Sequence, residues 1–360
     1  MLTKQAILDA LRPVQDPEVH KSIVELGMVR NVEIDGDHAK IEVVLTIAGC
    51  PLRNKIDADV RAALGTVEGL KSFDLTLGTM TDEERAKFRE VLRGGQPEQA
   101  TPPLLDPNTK TQFIAVASGK GGVGKSTVTA NLAVALVRMG YRVGIIDADI
   151  YGFSIPGIFG IRDQKPTLID NLLLPVVAEG VKVISMHFFV PDNRPVIWRG
   201  PMLGKMMRNF FAEVHWGDLD IMLLDMPPGT GDMALDVHQM LPKSKELIVT
   251  TPQFNATEVA ARVGTMALQT NHEILGVIEN MSFFEAGGQK HYIFGKGGGE
   301  RLALELKTDV LVQIPIGAAN ETGDGIYDAD TPQGEAYAKL AKTIGRKVLD
   351  QAMTEPYTQA

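Results

Sequence analysis

Apolar and polar residues alternate at Ala39, Ile41, Val43 and Leu45, the two-residue period of a strand with one buried face. A second strand is predicted over Val29–Ile34, and Asp35-Gly36-Asp37-His38 between the two reads as a hairpin turn. Before them, Thr3 can cap a helix running to about Leu11, with Ala6, Ile7, Ala10 and Leu11 on its inner face. Pro51 opens a helix to about Leu64, because proline suits the first helical position. Phe73, Leu75 and Leu77 alternate as a third strand, and Thr81-Asp82-Glu83-Glu84 is a capping box that starts a last helix. Residues 1–93 thus read as a small α+β domain. Glycine and proline then dominate residues 94–110 without apolar periodicity, as in a linker.

The pattern changes from residue 111 onward. Short unbroken apolar runs alternate with helical stretches, which predicts a mostly parallel sheet covered by helices on both faces over 111–360. Strands are expected at Phe113–Ala117, Arg142–Ile146, Val181–Ser185, Leu219–Leu224, Glu246–Thr250, Ile274–Asn280 and Val310–Ile314. Asn255–Thr270 reads as a helix with Val259, Val263 and Met266 inward, and Gly334–Met353 as a helix with Tyr337, Leu340, Ile344 and Leu349 on one face. Packing on the sheet, rather than anchoring to a membrane, is the use expected of that last stripe.

The first strand and first helix of this region enclose Gly119 to Ser126, G-K-G-G-V-G-K-S. This is the phosphate-loop pattern in its required strand–loop–helix context. Gly119, Gly121, Gly122 and Gly124 let main-chain N–H groups approach a polyphosphate, and the helix start adds unpaired donors. Lys125 is placed to reach the β- and γ-phosphates, and Ser126 to ligate Mg²⁺. The same glycines also satisfy the dinucleotide fingerprint G-x-G-x-x-G, but that pattern leaves Lys125-Ser126 without a purpose, and Asp147 falls late for its ribose acid. A plain glycine turn has no need of Lys-Ser at this register. Asp225 follows an apolar strand and is the acid a phosphate loop needs beside Mg²⁺. Asp147 and Asp149 end the second strand of the region; each alone could be a turn residue, but three acids at strand ends beside one phosphate loop fit a metal–nucleotide site.

The 360 residues carry 36 Lys and Arg against 45 Asp and Glu, a net charge of −9, which argues against a broad nucleic-acid surface. No apolar run approaches membrane-spanning length, and Met1–Ala10 has no secretory pattern, so a cytoplasmic location is expected. The single cysteine, Cys50, excludes an intramolecular disulfide. It stands at a predicted helix N-terminus, where the dipole favours thiolate, and reads equally as a functional thiol, nucleophile or metal ligand, or as a small buried hydrophobe. Asp16-Pro17-Glu18 is an acidic turn that spacing alone leaves as solvated surface or as a site.

Asp16-Pro17-Glu18, Ser22 to Val29 (S-I-V-E-L-G-M-V) and Leu45 to Pro51 (L-T-x-x-x-C-P) resemble the small domain of iron–sulfur assembly factors, which also occurs ahead of Mrp/ApbC ATPases. The second lysine of the loop, Lys120, resembles the deviant Walker A group that includes ParA, MinD, nitrogenase iron protein and Mrp/ApbC. Within that group, Asp147 to Pro156, Trp198 to Met202, Asp225 to Asp232, Glu279 to Ser282 and Ile293 to Gly299 resemble Mrp/ApbC. The resemblance implies a P-loop ATPase of α/β fold behind a small α+β domain, with ATP and Mg²⁺ as cofactors. It implies a homodimer in which Lys120 reaches the partner's nucleotide. Gly119 to Thr127, Val123 included, would bind phosphate, and Asn280 would read adenine. Asp149 would position water or act through switch I, and Asp147 would touch a water of Mg²⁺ beside the ligands Ser126 and Asp225, with the division of roles between the two acids left open. The partners it implies are iron–sulfur donor and recipient proteins, with neither nucleic acid nor membrane. One departure stands out: cluster-carrying members have Cys-x-x-Cys where this chain has Phe283 to Tyr292 and no cysteine. A metal-free nucleotide switch of the ParA/MinD kind is therefore the alternative, and whether an iron–sulfur cluster is bound stays open, with Cys50 as the one thiol.

Overall fold

A computed structural model describes residues 2–47, 52–92, 102–106, 108–149, 152–190, 200–319 and 325–350. Cys50 and most of the 94–110 stretch lie outside the described residues. The chain begins with α1 (Lys4–Leu11), β1 (Val29–Asp35), β2 (His38–Leu45), α2 (Arg53–Leu64), β3 (Ser72–Thr79) and α3 (Asp82–Leu92). It continues with β4 (Gln112–Ser118), α4 (Lys125–Arg138), β5 (Val143–Asp147), α5 (Ile155–Ile158), β6 (Thr167–Ile169), β7 (Leu172–Leu174), β8 (Val176–Ala178) and β9 (Val181–Ser185). Then come α6 (Gly200–Ala212), β10 (Ile221–Asp225), α7 (Asp232–Met240), β11 (Lys245–Thr250), α8 (Phe254–Gln269) and β12 (Glu273–Glu279). The last elements are β13 (Phe284–Ala286), β14 (Gln289–His291), α9 (Gly298–Glu305), β15 (Val310–Gln313) and α10 (Pro332–Gly345). Two compact units result; the first gathers residues 1–100, 166–175 and 213–217, and the second the remainder.

In the first unit the Thr3 hydroxyl accepts the Ala6 N–H at 3.1 Å and so starts α1. Ile7 and Leu11 are buried, whereas Ala6 is exposed and Ala10 half-buried, so the inner stripe is narrower than predicted. An eight-residue helix meets its core along one i, i+4 line, and the two alanines are too short to widen it. β1 and β2 form the predicted hairpin, and β3 joins β2 in parallel, giving the order β1-β2-β3. Ala39, Ile41, Val43 and Leu45 are all buried, as their alternation requires. The capping box forms reciprocally: Thr81 N–H donates to Glu84 Oε2 at 2.7 Å and Glu84 N–H to Thr81 Oγ1 at 3.2 Å. Arg30 also donates to both oxygens of Glu84, and this bidentate pair chiefly holds the Glu84 carboxyl down to about 2.

The β6–β7 hairpin belongs to this unit. Ile169, Leu172 and Leu174 share one core with Ile7, Val43 and Phe88. Asp170, in the left-handed turn between the strands, lies 3.1 Å from Arg89 Nη2. The Thr167 hydroxyl donates to Glu18 Oε1 at 2.6 Å. Asp16 Oδ1 accepts the N–H groups of Glu18 and Val19, an Asx-type turn that fixes the Asp-Pro-Glu segment.

The second unit holds an eight-stranded sheet, β15-β12-β11-β4-β10-β5-β9-β8, parallel except for β8 at one edge. β5 and β10 are buried along their whole length, which is why they read as unbroken apolar runs. Their parallel direction brings the C-terminal ends of β4, β5, β10, β11 and β12 to one edge, where an open sheet of this type collects its ligands. Tyr337, Leu340 and Ile344 of α10 are buried in one core with Leu132 and Leu136 of α4. In α8 only Val263 of the three predicted inward residues is fully buried; Val259 and Met266 are half-buried, and Ala256, Ala260, Gly264 and Ala267 line the inner face instead. The N-terminal half of α8 lies against the loop after β4, close enough that a Cβ at Gly119 would stand 2.3 Å from the Val259 carbonyl carbon, and Gly264 further along makes room for Leu306, whose Cδ1 would be 2.4 Å from a Cβ there. Among the described residues no helix is long and apolar enough to cross a membrane.

Glu18 is 9% exposed, and burial is the main cause that lifts its carboxyl to about 7. A carboxyl raised by folding takes up a proton on folding, so stability is greatest below its unfolded value near 4.5 and falls as pH rises towards 7. Urea titrations of Trp fluorescence should therefore show wild type losing on the order of 2–3 kcal/mol more than Glu18→Gln between pH 5 and pH 7.5. Parallel pH profiles for the two proteins would contradict this burial.

Candidate nucleotide site

The site is built at the C-terminal ends of β4, β5 and β10. β4 delivers the loop Gly119–Gly124, and α4 starts at Lys125 with Gly124 as its N-cap. The glycines serve for different reasons. Gly122 and Gly124 take φ of +81° and +83°, where a side chain is strained. Gly124 also leaves room for Asn280, whose Nδ2 would be 2.2 Å from a Cβ there. Gly119 leaves room for the α8 backbone, whereas a Cβ on Gly121 would meet nothing within 4 Å.

Three donors converge on one carboxylate. Lys125 Nζ lies 2.8 Å from Asp225 Oδ2, and the Ser126 hydroxyl donates to the same oxygen at 2.6 Å. The Thr129 hydroxyl lies 2.8 Å from the other oxygen, Oδ1. Lys125 Nζ also lies 3.7 Å from Asp149 Oδ2. Asp225 and Asp147 are paired across adjacent parallel strands, both with no exposed surface. Asp147 accepts the Ser185 hydroxyl on Oδ2 at 2.9 Å and the Asp149 N–H on Oδ1 at 3.3 Å. Burial first, and the Asp225 charge second, push the Asp147 carboxyl well above the usual range. Asp149 is also raised, again mainly by burial, with Lys125 pulling it back.

A cavity of about 830 Å³ opens over these groups. Lys120, Gly121, Gly122, Gly124, Lys125, Ser126, Thr127 and Asp149 line it, facing Pro227, Pro228, Asp232 and Asp236 of the segment after β10. Gly119, Val123, Asp147, Asp225 and Asn280 stand behind this wall. Asn280 is 7% exposed, and its Nδ2 donates to the Val123 carbonyl at 2.9 Å, so it braces the loop from outside. The Ser126 hydroxyl and the Asp225 carboxylate form an all-oxygen donor pair that suits Mg²⁺, which takes one or two protein oxygens and fills its octahedron with water and phosphate. Among the described residues no group of three His, Cys, Asp or Glu side chains could hold a metal ion by itself. His291 lies exposed on the β13–β14 hairpin, where Lys290 Nζ stacks 3.9 Å over the Phe283 ring.

Sequence reading missed Thr129, Ser185 and the bracing by Asn280. Thr129 sits one turn after Lys125, a spacing that places both on one helix face and would have signalled it. Ser185 ends an apolar strand beside Asp147, a weaker signal that needs the strand order to interpret.

A family model described as NUBPL iron-transfer P-loop NTPase matches residues 109–348, and one described as iron–sulfur cluster assembly protein matches residues 4–76. The chain is 44% identical to the iron–sulfur cluster carrier protein of Bacillus subtilis over 97% of this chain and 99% of that protein. It is 38% identical to the protein of the same name from Synechocystis, covering 97% and 98%. Among solved structures, the nucleotide-binding protein of Archaeoglobus fulgidus in complex with ADP aligns at a TM-score of 0.51 with 39% identity, over 68% of this chain and 89% of that one. The septum site-determining protein MinD of Pyrococcus horikoshii, complexed with Mg-ADP, aligns at 0.50 with 25% identity over 67% and 98%.

The unequal surroundings of the loop glycines give a direct check. Gly119→Ala forces a Cβ into backbone and should cost roughly 1–3 kcal/mol or more. Gly121→Ala should leave the melting temperature within a degree or two. Equal melting temperatures for the two variants would contradict the packing of α8 on the loop.

Proposed function

The chain belongs to the family of iron-transfer P-loop NTPases, and on that footing we propose that it is a dimeric, slow, Mg²⁺-dependent ATPase that carries or helps assemble iron–sulfur clusters for delivery to other proteins. The observation that supports ATP chemistry best is the meeting of Lys125 and Ser126, which line the cavity, on one oxygen of the buried Asp225 behind it. A triphosphate entering along the start of α4 competes for Lys125. The lysine then swings from Asp225 to the β- and γ-phosphates, which frees the Asp225 and Ser126 oxygens for Mg²⁺. Mg²⁺ supplies neutralisation of phosphate charge when bound. Main-chain N–H groups from Gly121 to Thr127 hold the phosphate oxygens.

Asp149 lies on the cavity wall, 3.7 Å from Lys125, which supports its role in orienting the attacking water. Asp147, fully buried, would act on a bound Mg²⁺ through water or through the placement of Asp149. Lys120 lines the cavity mouth, where it can reach the nucleotide of a facing subunit and stabilise charge on the transferred phosphoryl. In this reading Gly119 to Thr127 hold the phosphates and Asn280 contributes to the adenine side.

Iron–sulfur cargo needs thiolates, usually four to a cluster. Cys50 supplies one per chain and two per dimer, so carboxylates such as Glu18 or an external thiol complete a labile site, or Cys50 handles a persulfide or a single metal. In this reading residues 1–93 form the small iron–sulfur-assembly-like domain, 94–110 a linker and 111–360 the ATPase domain, with residues 166–175 and 213–217 packed into the first unit, and nucleotide state times the cargo step. The absence of cysteine from Phe283 to Tyr292 favours one second reading, a ParA/MinD-like switch that recruits a partner without metal.

Wild type, Lys125→Ala and Cys50→Ala, each reconstituted anaerobically with iron and sulfide, separate these readings. Wild type should release phosphate only with Mg²⁺, and Lys125→Ala should release none while still holding iron. Cys50→Ala should hydrolyse ATP and hold less iron than wild type. Phosphate release by Lys125→Ala equal to wild type would overturn the ATPase assignment. Equal iron in wild type and Cys50→Ala would overturn thiol-based carriage and leave the switch.

A further inference from the structure

Glu279 is 1% exposed at the C-terminal end of β12, outside the cavity wall. Its Oε1 accepts the Ser282 hydroxyl at 2.6 Å and the Gln313 side-chain N–H at 3.0 Å. Its Oε2 accepts the Gly299 N–H at 2.5 Å, one of the unpaired donors at the start of α9. The glycine segment before α9 is shaped by this contact. A Cβ at Gly299 would lie 2.9 Å from Glu279 Oε2, and one at Gly298 would lie 2.3 Å from the Pro252 carbonyl oxygen. One carboxylate thus ties together β12, the turn that follows it, the edge strand β15 and the N-terminus of α9.

That turn carries Asn280. Met281 follows it with φ +54°, a left-handed conformation that an unbranched L-residue holds only when its surroundings enforce it. The enforcing contacts are the Glu279–Ser282 side-chain bond and two main-chain bonds, Asn280 N–H to Thr250 O at 2.8 Å and Ser282 N–H to Ile314 O at 2.9 Å. Asn280 then projects its amide onto the Val123 carbonyl, and its Nδ2 fills the space left by Gly124. Val123 and Gly124 are the last residues before Lys125.

We propose that Glu279 is a positioning residue: by locking the left-handed turn through Ser282, it presses the Asn280 amide against Val123 and fixes the phosphate loop in its nucleotide-binding shape. Glu279 does not line the cavity; its effect reaches the phosphate site through Asn280 and the loop backbone. The inference rests on the reading of this site as an ATP site only for its effect on binding, since the rigidity of the empty loop follows from the contacts themselves. Gln at 279 keeps one acceptor oxygen but sets an NH₂ group against a donor. Ala at 282 removes the turn bond and leaves the Gly299 and Gln313 bonds in place.

The test uses the full chain with Glu279→Gln, Ser282→Ala, Ser282→Thr and Glu300→Ala, the last a surface partner of Gln313. Hydrogen exchange without nucleotide reports loop rigidity, and calorimetric titration with MgATP reports affinity. Ser282→Ala and Glu279→Gln should speed exchange of the peptide over residues 119–126, and weaken MgATP, by roughly tenfold each, the effect of losing one buried charge-assisted hydrogen bond. At saturating ATP the turnover should stay within about twofold, because a loop that binds late still binds correctly. Ser282→Thr should restore both readouts, and Glu300→Ala should match wild type. Should Glu279→Gln fail to fold, Ser282→Ala carries the test. Wild-type loop exchange and affinity in Ser282→Ala would overturn the proposal. Faster loop exchange in a chain whose wild type binds no ATP would instead overturn the ATP reading and leave the positioning role standing.

Discussion

The second unit depends on a buried carboxylate that its own phosphate loop and first helix must satisfy. Asp225 has no exposed surface and receives Lys125, Ser126 and Thr129 at 2.6–2.8 Å. A charge in that position is tolerated only when it is paired and hydrogen-bonded. Parallel strands β4, β5 and β10 place Asp225, Asp147 and the phosphate loop at one level, so the pairing follows from register rather than from loop flexibility. In the proposed reading Lys125 is stored in the place that Mg²⁺ and phosphate would compete for, and nucleotide binding would be an exchange of partners over the lined cavity.

The neighbouring acid illustrates how two carboxylates at one strand level divide their work. Asp147 faces Asp225 without a lysine of its own, and burial with that charge raises it well above the usual range. Its oxygens are occupied by Ser185 and by the Asp149 main chain, so it shapes the segment that carries Asp149. Asp149, on the cavity wall, keeps an oxygen towards Lys125. Geometry therefore separates the pair that spacing alone leaves equivalent.

Much of this was legible in the sequence because its causes are local. The capping box at Thr81–Glu84, the alternation over Ala39–Leu45 and the strand–loop–helix around Gly119 depend on neighbours a few residues apart. What escaped depends on approach between distant segments. The β6–β7 hairpin is two strands of three residues, too short for any period to show, and only tertiary contact reveals Ile169, Leu172 and Leu174 as core. The inner face of α8 is written in alanine and glycine because the loop backbone at Gly119 and the Leu306 side chain press close to it, whereas hydrophobic spacing pointed to Val259 and Met266. Gly297-Gly298-Gly299 leads into α9, and the reason for its glycines appears only beside Pro252 and Glu279. Ser185 carried no motif and became visible through Asp147, whereas Thr129 was marked only by its one-turn spacing from Lys125.

The exchange of Lys125 between Asp225 and phosphate is open to one decisive titration. ATP binding to wild type and Asp225→Asn, measured by calorimetry with Mg²⁺ and with chelator, isolates the carboxylate's share in holding the metal. The account predicts that Mg²⁺ tightens ATP binding to wild type and has little effect on Asp225→Asn, whose freed Lys125 binds ATP at least as well without metal. The same Mg²⁺-dependent gain in affinity for both proteins would contradict it.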